Sequence, residues 1–236
     1  MKTVMRRYVR IPLRHLITFG LILLLVFSLS LYFGITDPKI AALIGGISGG
    51  IAVLIISFLL SIYEYKQIDR FRALGILEVL SDRRNPVYYK DIVKDAKDIV
   101  QVMGTSCTRF IDDFANTESD NHVLIDTLNY NNNLIVQFLV PSVEHMDEDS
   151  KLKFQGGERK ILALLGLFPG RVQLKRYDWQ PRHSLVRVDS DLIVGPVFQE
   201  VESKNSPAIH LDTASAYAEK YLMYYSWAWE KGRSFP

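Results

Sequence analysis

The chain has 236 residues, 48% hydrophobic and 23% charged, with 28 basic and 26 acidic side chains and a net charge of +2. A mean hydropathy of +0.07 is high for a soluble protein and low for a polytopic transporter, which fits two membrane spans plus one domain. Six basic residues and one acidic residue precede residue 64, leaving 22 and 25, a net −3, for the remainder. That remainder therefore lacks the basic excess of a nucleic-acid-binding domain, and no direct nucleic-acid binding is expected.

Lys2, Arg6, Arg7, Arg10 and Arg14 lead into the uncharged apolar run Leu16 to Phe33, and a second run, Ile40 to Leu60, follows after Gly34-Ile-Thr-Asp-Pro-Lys39. About 20 apolar residues at a rise of 1.5 Å match the ~30 Å hydrocarbon core of a bilayer. The runs predict a two-helix hairpin over residues 1–63, with spans at about 16–33 and 40–62. The basic residues before the first run, and Lys66, Arg70 and Arg72 after the second, place both termini in the cytoplasm by the positive-inside bias. A cleaved signal peptide is the rival reading of the first run. That run is long for such a segment, however, and Ser28-Leu-Ser30 and Tyr32-Phe-Gly34 make poor cleavage sites.

The second run carries Gly45, Gly46, Gly49 and Gly50, two overlapping G-x-x-x-G pairs that let helix backbones approach closely in lipid. They serve either packing within one hairpin or contact between protomers of a homo-oligomer. Neither run has an ionisable residue at its centre, so nothing in the spans supports a proton relay, a pump or a selective charged pore. Tyr63, Ile68, Phe71, Leu74, Leu77 and Leu80 continue at roughly helical spacing, predicting a juxtamembrane helix over 64–85 that breaks at Asn85-Pro86, with Arg83-Arg84 as its solvated end.

Residues 86–236 form the expected cytoplasmic domain. Helices are predicted over 86–96, into 114, over 123–130, 152–167 and 214–231, and strands over 99–103, 134–140, 171–177, 184–188, 192–197 and 208–211. This alternation implies an α/β or α+β sheet with helices on both faces. The single Cys107 suits a reducing cytoplasm. Asp112-Asp113 with Glu118 and Asp120, and Asp147-Glu-Asp149, lack the regular spacing of oxygen ligands for calcium, so no metal or cofactor is expected.

Three segments carry a resemblance: Val100-Gln-Val-Met-Gly-Thr-Ser106; Leu174 to Asp178 with Pro181 to Pro196; and Ser206 to Leu211 with the helix around Tyr221 to Trp229. Together they resemble the phospholipase D-like fold in its divergent bacterial form. The family motif is H-x-K-x4-D followed by G-S-x-N. The resemblance places His183 at its His position, Leu185 at its Lys position and Ser190 at its Asp position, while Pro196, Val197 and Phe198 replace the polar triplet after Gly195. Without the Lys most of the phosphoryl-transfer machinery is missing. No catalytic residues are expected. His183 and Arg187, four residues apart on one side of a strand, are candidates with Thr105 and Ser106 for a phosphate-binding pocket.

A two-span anchor before a non-catalytic domain resembles the membrane effectors of bacterial antiphage systems of the retron type. That resemblance implies an inner-membrane, toxin-like effector that acts on the lipid bilayer as a homo-oligomer. Its implied partner is a regulatory protein or nucleoprotein such as a reverse transcriptase complex. The alternatives are a membrane-anchored phosphodiesterase or nuclease, and a non-catalytic module that binds a phosphorylated ligand.

Overall fold

The computed structural model describes residues 13–116, 122–198 and 201–234. Lys2, Arg6, Arg7 and Arg10 of the basic segment, and Glu118 and Asp120 of the acidic stretch, lie outside them. The chain divides into two units, Met1–Arg70 and Phe71–Pro236.

The first unit holds helix α1 (Leu13–Gly34) and most of helix α2 (Pro38–Ala73). Two helices are long and apolar enough to cross a membrane. Their large side chains are mostly exposed, Phe33 at 83% and Leu43 at 65% among them, as lipid-facing residues are. Where the helices meet, the contact uses small and polar groups. The buried hydroxyls of Ser28 and Ser48 lie 2.9 Å apart, and the Tyr32 ring stands over Gly45, where an added Cβ would sit 3.3 Å from it. Gly46, Gly49 and Gly50 have nothing within 4 Å of such a Cβ. The four glycines therefore divide: one packs inside the hairpin and three present open backbone.

The helix expected to run toward Ser81 ends at Ala73. Gly75 adopts φ +71°, the left-handed conformation that closes helices, and the amides of Leu74 and Gly75 bond back to the carbonyls of Phe71 and Arg72. A Cβ at Gly75 would also strike Ser215 at 2.2 Å, so glycine is required twice over. Strand β1 (Ile76–Leu80) follows, and the expected helix over 64–85 is thus corrected to the end of α2 plus a strand. Leu77 and Leu80 belong to this short edge strand, whose two-residue alternation overlaps helical spacing over so few positions.

The second unit is one mixed sheet covered on both faces. Its remaining elements are α3 (Pro86–Lys94), β2 (Ile99–Met103), α4 (Thr108–Phe114), α5 (Val123–Tyr130), β3 (Ile135–Pro141), α6 (Glu148–Leu167), β4 (Val172–Tyr177), β5 (His183–Val188), β6 (Asp191–Pro196), β7 (Ala208–Asp212), α7 (Ala216–Lys231) and the two-residue β8 (Arg233–Ser234). Strand order is β1-β7-β6-β5-β2-β3-β4-β8, with β2, β3 and β4 parallel and the other pairs antiparallel.

Alternation along each strand sorts the core into two layers. Val100, Val102, Val136, Phe138 and Leu174 face α3 to α6, which add Val93, Ile111, Leu124, Phe154 and Ile161. Met103, Leu139, Tyr177, Leu185 and Leu211 face α7, which adds Ala218, Tyr225 and Ala228. Gly157 of α6 lies against Thr108 of α4, where a Cβ would come within 2.5 Å of the hydroxyl, and so brings the two helices together beside the end of β2.

Candidate functional site

The residues singled out on β5 and β6 are already occupied. His183 lies on the α7 face between the rings of Tyr221 and Tyr224, with centroids 5.5 and 5.6 Å away. Burial first, and then the neighbouring Arg182, lower its pKa. Leu185 is buried beneath α7. Arg187 lies on the same face, as the even spacing predicts. Its Nε donates to the Asp189 carbonyl at 3.0 Å and its Nη1 to Gln101 Oε1 at 3.2 Å. Gln101, Gln137 and Gln173 continue that row across three strands at 2.8 and 3.2 Å.

Asp189, in the left-handed region with φ 49°, accepts the amides of Lys97, Asp98 and Ile99 at 2.7, 2.9 and 2.9 Å and fixes the entry to β2. His210, buried on the opposite face, has both ring nitrogens engaged. The Tyr88 hydroxyl lies 2.6 Å from Nδ1 and Asp191 Oδ1 lies 2.8 Å from Nε2.

Thr105 and Ser106 lie elsewhere. With Ser184 they line a cavity of about 100 Å³ at the carboxyl end of β2, on the side of α3 to α6. Neither His183 nor Arg187 lines it. The structure therefore does not bring the expected quartet together in this cavity. Alternation on β5 sends Ser184 and Val186 toward the cavity and His183 and Arg187 to the far face.

The cations of the cavity are Arg83, expected at a solvated helix end, and Arg109, which no sequence signal marked. Arg83 is not the solvated end of a helix. Only 7% exposed, it donates from Nε to the Ser206 carbonyl at 3.4 Å and from Nη2 to the Pro196 carbonyl at 3.3 Å, both longer than an ordinary N–H···O bond. Among the described residues no carboxylate pairs with it. Burial lowers its pKa, Tyr89 opposes that shift, and Arg109 adds to it. The neighbouring Arg84 is the solvated one, paired with Asp82 at 2.9 Å.

Arg109 Nη2 donates to the Arg83 carbonyl at 2.6 Å, and Arg109 pairs with Asp113 at 3.3 Å. Burial raises the Asp113 pKa against the opposing pull of Arg109. The floor is apolar, formed by Val102, Phe110, Val186 and Ile193. Cys107 also lines the cavity, but burial pushes its thiol up to about 12, so it is no nucleophile at neutral pH.

A larger cleft of about 620 Å³ shares Thr105, Ser106, Arg109 and Asp113 with this chamber. Its lysines are neutralised. Lys153 pairs with Asp149 at 2.5 Å and with Glu202 at 3.3 Å, and Lys204 pairs with Glu202 at 2.8 Å. Among the described residues no three His, Cys, Asp or Glu side chains converge as metal ligands.

No protein family and no curated protein matches the sequence. Several solved structures are similar to it. TrmBL2, an archaeal chromatin protein, matches at 9% identity and a TM-score of 0.46 over 82% of this chain and 70% of its own. The phospholipase D family member Nuc from Salmonella typhimurium matches at 16% identity and 0.38, over 63% and 89%. Phosphatidylserine synthase from Haemophilus influenzae matches at 9% identity and 0.44, over 62% of this chain and 36% of its own.

Proposed function

We propose that the chain is an inner-membrane effector. Its cytoplasmic, phospholipase D-like domain takes up a phosphorylated ligand or a partner, and its apolar helices assemble into an oligomer that perturbs the bilayer. The observation that carries this reading is the division of the α2 glycines. Gly45 packs against Tyr32, while Gly46, Gly49 and Gly50 meet nothing, which leaves close-approach backbone for another copy. The domain supports a binding role, because His183 and His210 are committed to aromatic and carboxylate neighbours and its cavity holds an arginine that no carboxylate pairs among the described residues. Both termini lie in the cytoplasm in this reading. A role in antiphage defence, with a reverse transcriptase complex as partner, is its most specific form.

Induced expression of the full chain in a bacterium tests it. The expected result is growth arrest with loss of membrane potential, relieved by Gly46→Leu or Gly49→Leu. Arrest that persists in both glycine variants and disappears in His183→Ala would overturn the reading in favour of a membrane-anchored phosphodiesterase.

A further inference from the structure

Arg83 is buried, its two hydrogen bonds are long, and among the described residues no carboxylate pairs with it. A guanidinium withdrawn from water without a carboxylate pays a desolvation penalty that two long bonds to carbonyls offset only in part. The lysines of the neighbouring cleft, by contrast, are each paired with an acid. The charge of Arg109 is offset by Asp113. Among the described residues the chamber therefore keeps one positive charge in excess, beside the hydroxyls of Thr105, Ser106 and Ser184.

We infer that the chamber receives the phosphoryl head of a phosphomonoester, with Arg83 as its counter-charge. This deepens the reading of the domain as a ligand-binding control and rests on it. A tetrahedral phosphate presents several strong acceptor oxygens. A guanidinium fork together with hydroxyl donors satisfies more of them than it would of a planar carboxylate. The size agrees. A cavity of about 100 Å³ is several times the ~10–15 Å³ that one water needs on this measure, room enough for a phosphoryl group. The body of the ligand lies in the 620 Å³ cleft, which shares the wall of Thr105, Ser106 and Arg109. The apolar floor excludes water and strengthens the charge–charge attraction.

The test is the thermal transition of the full chain in phosphatidylcholine nanodiscs, titrated with inorganic phosphate or adenosine 5′-monophosphate against chloride at equal ionic strength. A parallel arm replaces part of the lipid with phosphatidic acid. Saturable stabilisation in the first arm identifies a soluble phosphomonoester. Stabilisation in the second arm alone identifies a lipid headgroup as the source of the same chemistry. In either case Arg83→Met weakens binding about 30-fold or more, and Ser106→Ala weakens it about fivefold. If Arg83→Met fails to fold, Ser106→Ala and Thr105→Val decide.

No stabilisation in either arm, or affinity unchanged in these variants, overturns the inference. Binding by a chain that leaves membrane potential intact in cells supports the chamber while sinking the effector reading. Depolarisation by a chain that binds neither probe does the reverse.

Discussion

Strand β5 and the Arg83 chamber hold the same kinds of side chain, a cation among hydroxyls and acids, and differ in what those side chains already grip. On β5, Arg187 makes bonds of 3.0 and 3.2 Å and His183 is lodged between two tyrosines. In the same stretch Asp189 holds three amides. In the chamber Arg83 reaches two carbonyls at 3.4 and 3.3 Å and, among the described residues, no acid. The β5 side chains that the motif spacing singles out are thus engaged within the sheet, whereas the long bonds of Arg83 lie where no motif pointed.

Four measurements break or sharpen this contrast. The largest effect concerns chemistry in the chamber. With its thiol pushed up to about 12 from an ordinary 9.0, Cys107 should alkylate on the order of a thousandfold more slowly in the native chain than in denaturant at pH 8. Equal rates, followed by mass spectrometry, would make it a reactive group after all. Next, Asp189→Ala removes the acceptor of three amides and should cost about 2–3 kcal/mol in urea unfolding. A change within 0.5 kcal/mol, the usual range for surface sites, would return Asp189 to the pool of functional candidates.

The paired arginines separate more finely. Arg187→Met should destabilise by about 1–2 kcal/mol. Arg83→Met should leave the ligand-free chain as stable or up to about 1 kcal/mol more so, because a buried unpaired charge gives way to an apolar side chain. Equal losses from both variants would erase the distinction.

The smallest effect is one of pH. Burial depresses the His183 pKa below its usual 6.5. Its contribution to stability is then fully present above pH 6.5 and is lost as pH falls toward the folded-state value, since the unfolded chain binds the proton more readily. His183→Ala should flatten that part of the stability profile. An unchanged slope below pH 6.5 would show that His183 is not the group responsible.

The sequence carried the order of elements well because their signals are local. Alternating runs at 99–103 and 134–140 became β2 and β3, and Asn85-Pro86 opens α3 through a side-chain bond to the Val87 amide at 3.1 Å. The same-side placement of His183 and Arg187 also follows from strand geometry alone. Three things were out of reach. The stop at Gly75 depends on contact with Ser215, 140 positions away. The separation of Thr105 and Ser106 from His183 depends on which face of β5 the helices α3 to α6 cover. The burial of Arg83 beside an exposed Arg84 depends on the carbonyls of Pro196 and Ser206, and nothing in an Arg-Arg dipeptide distinguishes its two members.

The two units share one logic of incompleteness among the described residues: three glycines of α2 meet no neighbouring side chain, as Arg83 meets no acid. The claim that the apolar helices act on the bilayer by self-association is met most directly by dye leakage from lipid vesicles reconstituted with the purified full chain. The account predicts that the wild-type chain releases the dye, with or without added phosphomonoester, and that the Gly46→Leu, Gly49→Leu double variant, inserted to the same level, retains it. Equal leakage from both, or none from the wild type under either condition, would contradict it.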